Sequence, residues 1–98
     1  MRLNDHEITS IKAAAREAFG ETVIVRLFGS RVDDSLRGGD IDLHFEVDDG
    51  QQDYRHAGAF KWKLFEKIDE RKIDMVFHVR GRDLRPIDRV AFDEGIRL

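Results

Sequence analysis

The segment DIDLHFEV (Asp40–Val47) constrains the chain more than any other. Ile41, Leu43, Phe45 and Val47 alternate with Asp40, Asp42, His44 and Glu46. An alternation of this kind predicts a strand with one apolar and one polar face. Its polar face carries three acids, although strands disfavour Asp and crowded like charges repel one another. Asp40 and Asp42 stand about 7 Å apart along such a strand. A pattern that works against its own local preference points to a use for the carboxylates.

The rest of the chain supplies partners for that strand. Ile8, Ile11, Ala15 and Phe19 recur at helical spacing, with Asn4 or Asp5 as cap and Gly20 as stop. TVIVRLF (Thr22–Phe28) is short and β-branched, and reads as a strand. Ala57, Phe60, Leu64 and Ile68 mark a second helix, with Phe65 widening its stripe. KIDMVFHV (Lys72–Val79) repeats the alternation, with Ile73, Met75, Phe77 and Val79 on one face. RPIDRVAFDEG (Arg85–Gly95) predicts a last helix, opened by Pro86 and closed by Gly95. The order α-β-β-α-β-α predicts one α/β (α+β) domain over 1–98, a small mixed sheet with helices packed on one side.

Composition narrows the function. With 98 residues there is material for one core and no second. A net charge of −3 gives no general attraction to nucleic acid or membrane, so direct nucleic-acid binding is not expected. The absence of cysteine excludes disulfides, thiolate catalysis and Cys-type zinc sites. The opening MRLNDHEITS lacks the apolar run of a signal peptide, and no segment is apolar enough to span a membrane. The chain therefore reads as a soluble, cytoplasmic domain.

Asp74 lies in the third predicted strand, on the face opposite Ile73, Met75 and Phe77. If both strands turn their apolar residues to the same helices, Asp40, Asp42 and Asp74 emerge together on the other face. Neighbouring strands lie about 5 Å apart, so the three carboxylates converge. Such a cluster repels itself unless a cation sits in it or a member is protonated. Oxygen-only ligands suit Mg²⁺, or Mn²⁺, and Mg²⁺ keeps positions for water and substrate phosphate. Asp40 and Asp42 have the spacing to bridge two ions about 3.5–4 Å apart, as in two-metal nucleotide transfer. Gly29 follows an apolar strand and lets backbone approach a ligand closely. The Ser30 hydroxyl and neighbouring N–H groups suit phosphate oxygens, and Arg31 adds a positive charge.

Gly29-Ser30, nine intervening residues, Asp40-x-Asp42 and the later acid in KIDMVF resemble the signature of the DNA polymerase β-like nucleotidyltransferases. The size, the GSR start, the DIDL strand and the ending PIDRVAFDEGIRL resemble its minimal nucleotidyltransferase (MNT) branch. The likeness covers nearly the whole chain. It implies transfer of a nucleoside monophosphate from ATP or another NTP to a hydroxyl, with Gly29 and Ser30 holding the triphosphate. Asp40 and Asp42 are then ligands of both Mg²⁺ ions, and Asp74 of the ion beside the acceptor hydroxyl. It further implies an antitoxin that pairs with a helical HEPN ribonuclease toxin and transfers AMP to a tyrosine of it. The chain departs from the pattern at Gly39, where a Ser is common, and at Val32, Asp33 and Asp34 after GSR.

Two other functions fit the same residues. One is an antitoxin that blocks its toxin by binding alone. The other is a nucleotidyltransferase subunit acting on a small molecule or RNA, which predicts turnover without the helical partner. An EF-hand is excluded, because no run has its ligand spacing with the central Gly and final Glu. His44 and His78 read as semi-exposed neighbours of the carboxylates, and Glu46 as solvated. Arg80, Arg82, Arg85 and Arg89 form a basic cluster suited to phosphate or an acidic partner, and Lys61, Lys63, Lys67, Arg71 and Lys72 read as a wet helix face and its exit. Trp62 lies off the main helical stripe, where exposure would suit a partner contact.

Overall fold

The computed structural model describes residues 3–29 and 40–98. Three helices, α1 (Asp5–Phe19), α2 (Tyr54–Phe65) and α3 (Pro86–Glu94), accompany four strands, β1 (Ile24–Phe28), β2 (Ile41–Val47), β3 (Ile73–Val79) and β4 (Ile96–Arg97). The sheet order is β3-β2-β1-β4. β1 pairs antiparallel with β2 and β4, and β2 pairs parallel with β3. The fold is the small mixed α+β domain expected from the alternating patterns.

The N-terminus of α1 shows how local sequence sets the elements. Asn4 Oδ1 accepts from the Glu7 N–H at 2.8 Å, and Glu7 Oε1 accepts from the Asn4 N–H at 3.1 Å. This reciprocal pair satisfies two amides that the first turn leaves unbonded. Asn4→Ala is expected to cost about 1 kcal/mol, read as a lower urea midpoint at unchanged slope.

The core lies between the sheet and the α1–α2 layer. Val25 and Leu27 of β1, Ile41, Leu43, Phe45 and Val47 of β2, and Ile73 and Val79 of β3 bury against Ile11, Ala15, Phe19, Phe60 and Leu64. Phe45 anchors it, with Phe19, Phe60 and Phe77 rings 5.0–5.3 Å from its own. Every apolar residue of β2 is completely buried on this side, so strand alternation fixes the other side for Asp42, His44 and Glu46.

Helices α1 and α2 share one face as expected, whereas α3 packs on the opposite face. The reason is the half-apolar nature of His44 and His78. Both rings are buried, with Phe92 of α3 edge-on at 5.7 Å from His44 and 6.1 Å from His78. The polar face of the sheet is thus a second, smaller core along β2 and β3 beyond Asp42 and Asp74. β4 was not foreseen from the sequence. Gly95 opens its path, because a Cβ there would stand 2.3 Å from the Ala91 carbonyl oxygen. The bare backbone leaves α3 tightly and lays Ile96 against Leu27.

Candidate functional site

Parallel pairing of β2 and β3 sets Asp42 directly beside Asp74. Both lie near the N-terminal ends of their strands and on one face of the sheet. Asp40 precedes β2, and its carboxylate lies 3.8 Å from Lys72 Nζ, which is also 4.0 Å from Asp74 Oδ1. The structure therefore brings Asp40, Asp42 and Asp74 into one patch, with Lys72 among them. Sequence reasoning placed Lys72 on a solvated exit from α2. Its position two residues before Asp74 on the same strand face was the signal available. Ser30 and Arg31, the expected phosphate-binding residues, lie outside the described residues.

Gly29 closes the other side of the patch. It has φ +72°, a conformation that a side chain strains. A Cβ built there would stand 2.4 Å from Asp42 Oδ2, so the carboxylate occupies the space a side chain would take. Gly29→Ala is expected to turn the Asp42 carboxylate aside and to cost about 1–3 kcal/mol through backbone strain. Thermal unfolding of the variant reads the second effect, and calorimetric titration with Mg²⁺ the first.

The electrostatics reflect crowding. Burial raises the Asp42 pKa above its ordinary 3.8, and Asp74 and Asp40 raise it further, while Lys72 opposes them. A carboxyl group in this state has lost water and gained negative neighbours, a strain that a divalent cation relieves. The donor set is all oxygen and comes from two adjacent strands, so it fits Mg²⁺ or Mn²⁺. Among the described residues no three acids or histidines already surround a single point at ligand distance. The carboxylates instead flank the Lys72 ammonium, which supplies the local positive charge.

The other candidates from the sequence have structural roles. The His44 Nε2–H donates to Asp88 Oδ1 at 2.7 Å, and the His78 Nε2–H donates to the Arg82 carbonyl at 3.0 Å. Both acceptors can only accept, so each ring carries its proton on Nε2. Burial lowers the His44 pKa against the opposing pull of Asp88, which keeps the ring neutral. These histidines are buried under α3, not semi-exposed beside the carboxylates. Glu46 pairs with Arg26 at 3.3 Å, and the Arg26 guanidinium lies 4.3 Å from the centre of the Phe92 ring.

Three arginines of the basic cluster are likewise engaged locally. Arg80 pairs with Asp48 and donates to the Thr22 carbonyl, Arg82 pairs with Asp49, and Arg85 pairs with Asp88. Trp62 and Tyr54, by contrast, stand out from α2 with 76% and 98% of their surface exposed. Among the described residues no helix is long and apolar enough to cross a membrane.

Comparison of the chain with protein-family models, with curated proteins and with solved structures returned no match.

Proposed function

We propose that this chain is a Mg²⁺-dependent nucleotidyltransferase acting as an antitoxin. It transfers AMP, or another NMP, from an NTP to a hydroxyl of a helical HEPN-type ribonuclease toxin, with a tyrosine as the acceptor. The supporting observation is the register of β2 and β3, which pairs Asp42 with Asp74 against a glycine whose missing side chain makes room for the carboxylate. The resemblance in GSR and DIDL adds the reaction class. The acceptor oxygen attacks the α-phosphorus, a new P–O bond forms as the bond to the β-phosphate bridging oxygen breaks, and pyrophosphate leaves. The acceptor's proton passes to a carboxylate of the cluster, for which Asp74 on the outermost strand is best placed. Mg²⁺, when bound by Asp40, Asp42 and Asp74, supplies charge neutralisation at the phosphates and acidifies the hydroxyl. Gly29 keeps Asp42 turned into the site. Ser30 and Arg31 hold the triphosphate in this scheme, on the strength of the motif.

Lys72 favours a second reading. An ammonium about 4 Å from two of the acids can stand in for the metal, and a binding-only antitoxin would need nothing more. One experiment separates the two. The chain is co-expressed with the product of the adjacent reading frame and incubated with labelled ATP and Mg²⁺, and the partner's mass is followed. A nucleotide-sized mass gain that EDTA prevents supports transfer. Neutralisation of the partner with no mass gain from any NTP supports binding alone.

A further inference from the structure

The sheet ends on β3, and that edge is only half closed. Lys72 accepts from the Ile41 N–H and Arg80 donates to the Val47 carbonyl, so even-numbered residues of β3 turn their backbone groups towards β2. In a parallel ladder the alternate residues, Ile73, Met75, Phe77 and Val79, then face outwards. The far half of this edge is capped. Arg82 N–H donates to the Val79 carbonyl, and the Arg85 guanidinium donates to the Phe77 carbonyl. Among the described residues the outward N–H and C=O groups of Ile73 and Met75 meet no partner. They are the two residues that flank Asp74.

Beside this open stretch runs a groove of about 680 Å³ between β3 and α2. Tyr54, Ala57 and Lys61 of α2 line one wall, and Met75 and Phe77 the other. It lies where the α2-side side chains of a fifth strand would project. Unpaired backbone groups beside an apolar groove are the two parts of a strand-addition site: the ladder gives affinity and the groove reads alternate side chains.

We infer that the open half-edge of β3 takes an extended peptide segment of the protein substrate by strand addition, which sets its hydroxyl residue opposite Asp74. This rests on the nucleotidyltransferase reading for the use of that hydroxyl, but not for the docking itself. A side chain opposite Asp74 shares its face, about 5 Å away across the strands. The residues on either side point the other way, into the groove, and are apolar. Residues two away return to the face of Asp40, Asp42 and Asp74, where basic side chains complement the acids. The segment recognised therefore alternates, with a central hydroxyl, apolar flanks and basic ends.

The test uses a blocked five-residue peptide with tyrosine at its centre, valine on either side and lysine at both ends. It is titrated into the full chain without nucleotide, up to about 5 mM, and amide shifts are followed by NMR. Ile73 and Met75 should move most, and their hydrogen exchange should slow. A peptide methylated at its three central backbone nitrogens should bind at least tenfold more weakly. Ala57→Arg, which fills the groove from the helix side, should abolish the shifts. The inference is overturned if these amides do not move, if the methylated peptide binds as well, or if the same shifts follow protein concentration without peptide, which would mean pairing with a second copy. Adding labelled ATP and Mg²⁺ separates the two readings. Docking without label on the tyrosine leaves the edge site standing and sinks the transferase. Label with unmoved edge amides does the reverse.

Discussion

Asp42→Asn is expected to abolish nucleotide transfer while leaving the fold as stable as before or more so. Asn keeps the shape that Gly29 accommodates and one acceptor oxygen, but it removes the charge that a ligand bridging two divalent ions must supply. The loss should be on the order of a thousandfold or more, since metal stabilisation of the reacting phosphate is worth several kcal/mol. Stability moves the other way. The Asp42 pKa is raised above 3.8, so the folded chain holds this proton more tightly than the unfolded chain does. Ionisation then costs folding free energy as pH rises through that interval. Asn cannot ionise, so the variant's advantage should be absent below about pH 4 and open above it. Melting curves in EDTA across pH 3–8 read this directly. Mg²⁺ should raise the wild-type melting temperature and leave the variant's unchanged, because only a bound ion shifts the equilibrium. Transfer by the variant at the wild-type rate would remove Asp42 from the site. A variant less stable than wild type at pH 7 would show that the ionised Asp42 carboxylate does not cost the fold stability.

Much of this site was legible because two local rules agree. Alternation in DIDLHFEV and KIDMVFHV fixed which face each Asp takes; the apolar half of β2 is fully buried, and that of β3 is buried at Ile73 and Val79 and half-buried at Met75 and Phe77. Register was not legible. Whether Asp42 meets Asp74 or a neighbour depends on which carbonyl the Ile41 N–H finds, and that is settled by packing of Ile41 and Ile73 across the sheet. The histidines were misplaced for a related reason. A ring that is polar at two atoms and apolar elsewhere looks like a surface residue in a pattern, yet it packs well once Nε2 has an acceptor. The acceptors come from Asp88 and from the Arg82 carbonyl, both well downstream of β2, and no spacing announces them. The same contact explains α3. PIDRVAFDEG shows a helix, but not that Asp88 and Phe92 project onto the face reserved for acids. The arginines after β3 read as a cluster for phosphate or an acidic partner because Asp48 and Asp49 are brought to Arg80 and Arg82 only by the fold, while Arg85 turns to Asp88 one helical turn on.

Asp88→Ala is expected to cost about 2–4 kcal/mol, because it strips the acceptor from the buried His44 N–H and the Arg85 amide, and an unsatisfied buried donor costs about 1–3 kcal/mol. At about 4–8 °C per kcal/mol for a domain of this size, the melting temperature should fall by at least about 8 °C. Asp88 is fully buried and accepts four hydrogen bonds. The Arg85 backbone N–H and Nε reach Oδ2 at 2.8 and 3.0 Å, and Arg85 Nη2 and His44 Nε2 reach Oδ1 at 3.1 and 2.7 Å. Burial by itself would raise its pKa, but these donors outweigh burial and hold the carboxyl far below the usual range. Alanine removes the acceptor and leaves the His44 N–H and the first turn of α3 unsatisfied beneath Phe92. Asp88→Asn should fall between alanine and wild type. Its NH₂ must face one of four donors unless His44 moves its proton to Nδ1 and accepts at Nε2. The Nδ1 atom has no hydrogen-bond partner among the described residues, so that escape exchanges one unpaired group for another. The pH dependence follows from two lowered pKa values. His44 adds stability that is present above 6.5 and lost as pH falls below it, and Asp88 adds stability lost below 3.8. Wild type should therefore weaken in two acid steps, and Asp88→Ala should lack the lower one. A variant that melts within 2–3 °C of wild type would mean that α3 is held by Phe92 and Ala91 alone. Retention of Mg²⁺ binding by whatever fraction of the variant remains folded would separate this second core from the carboxylate site, which lies at the other end of the same two strands.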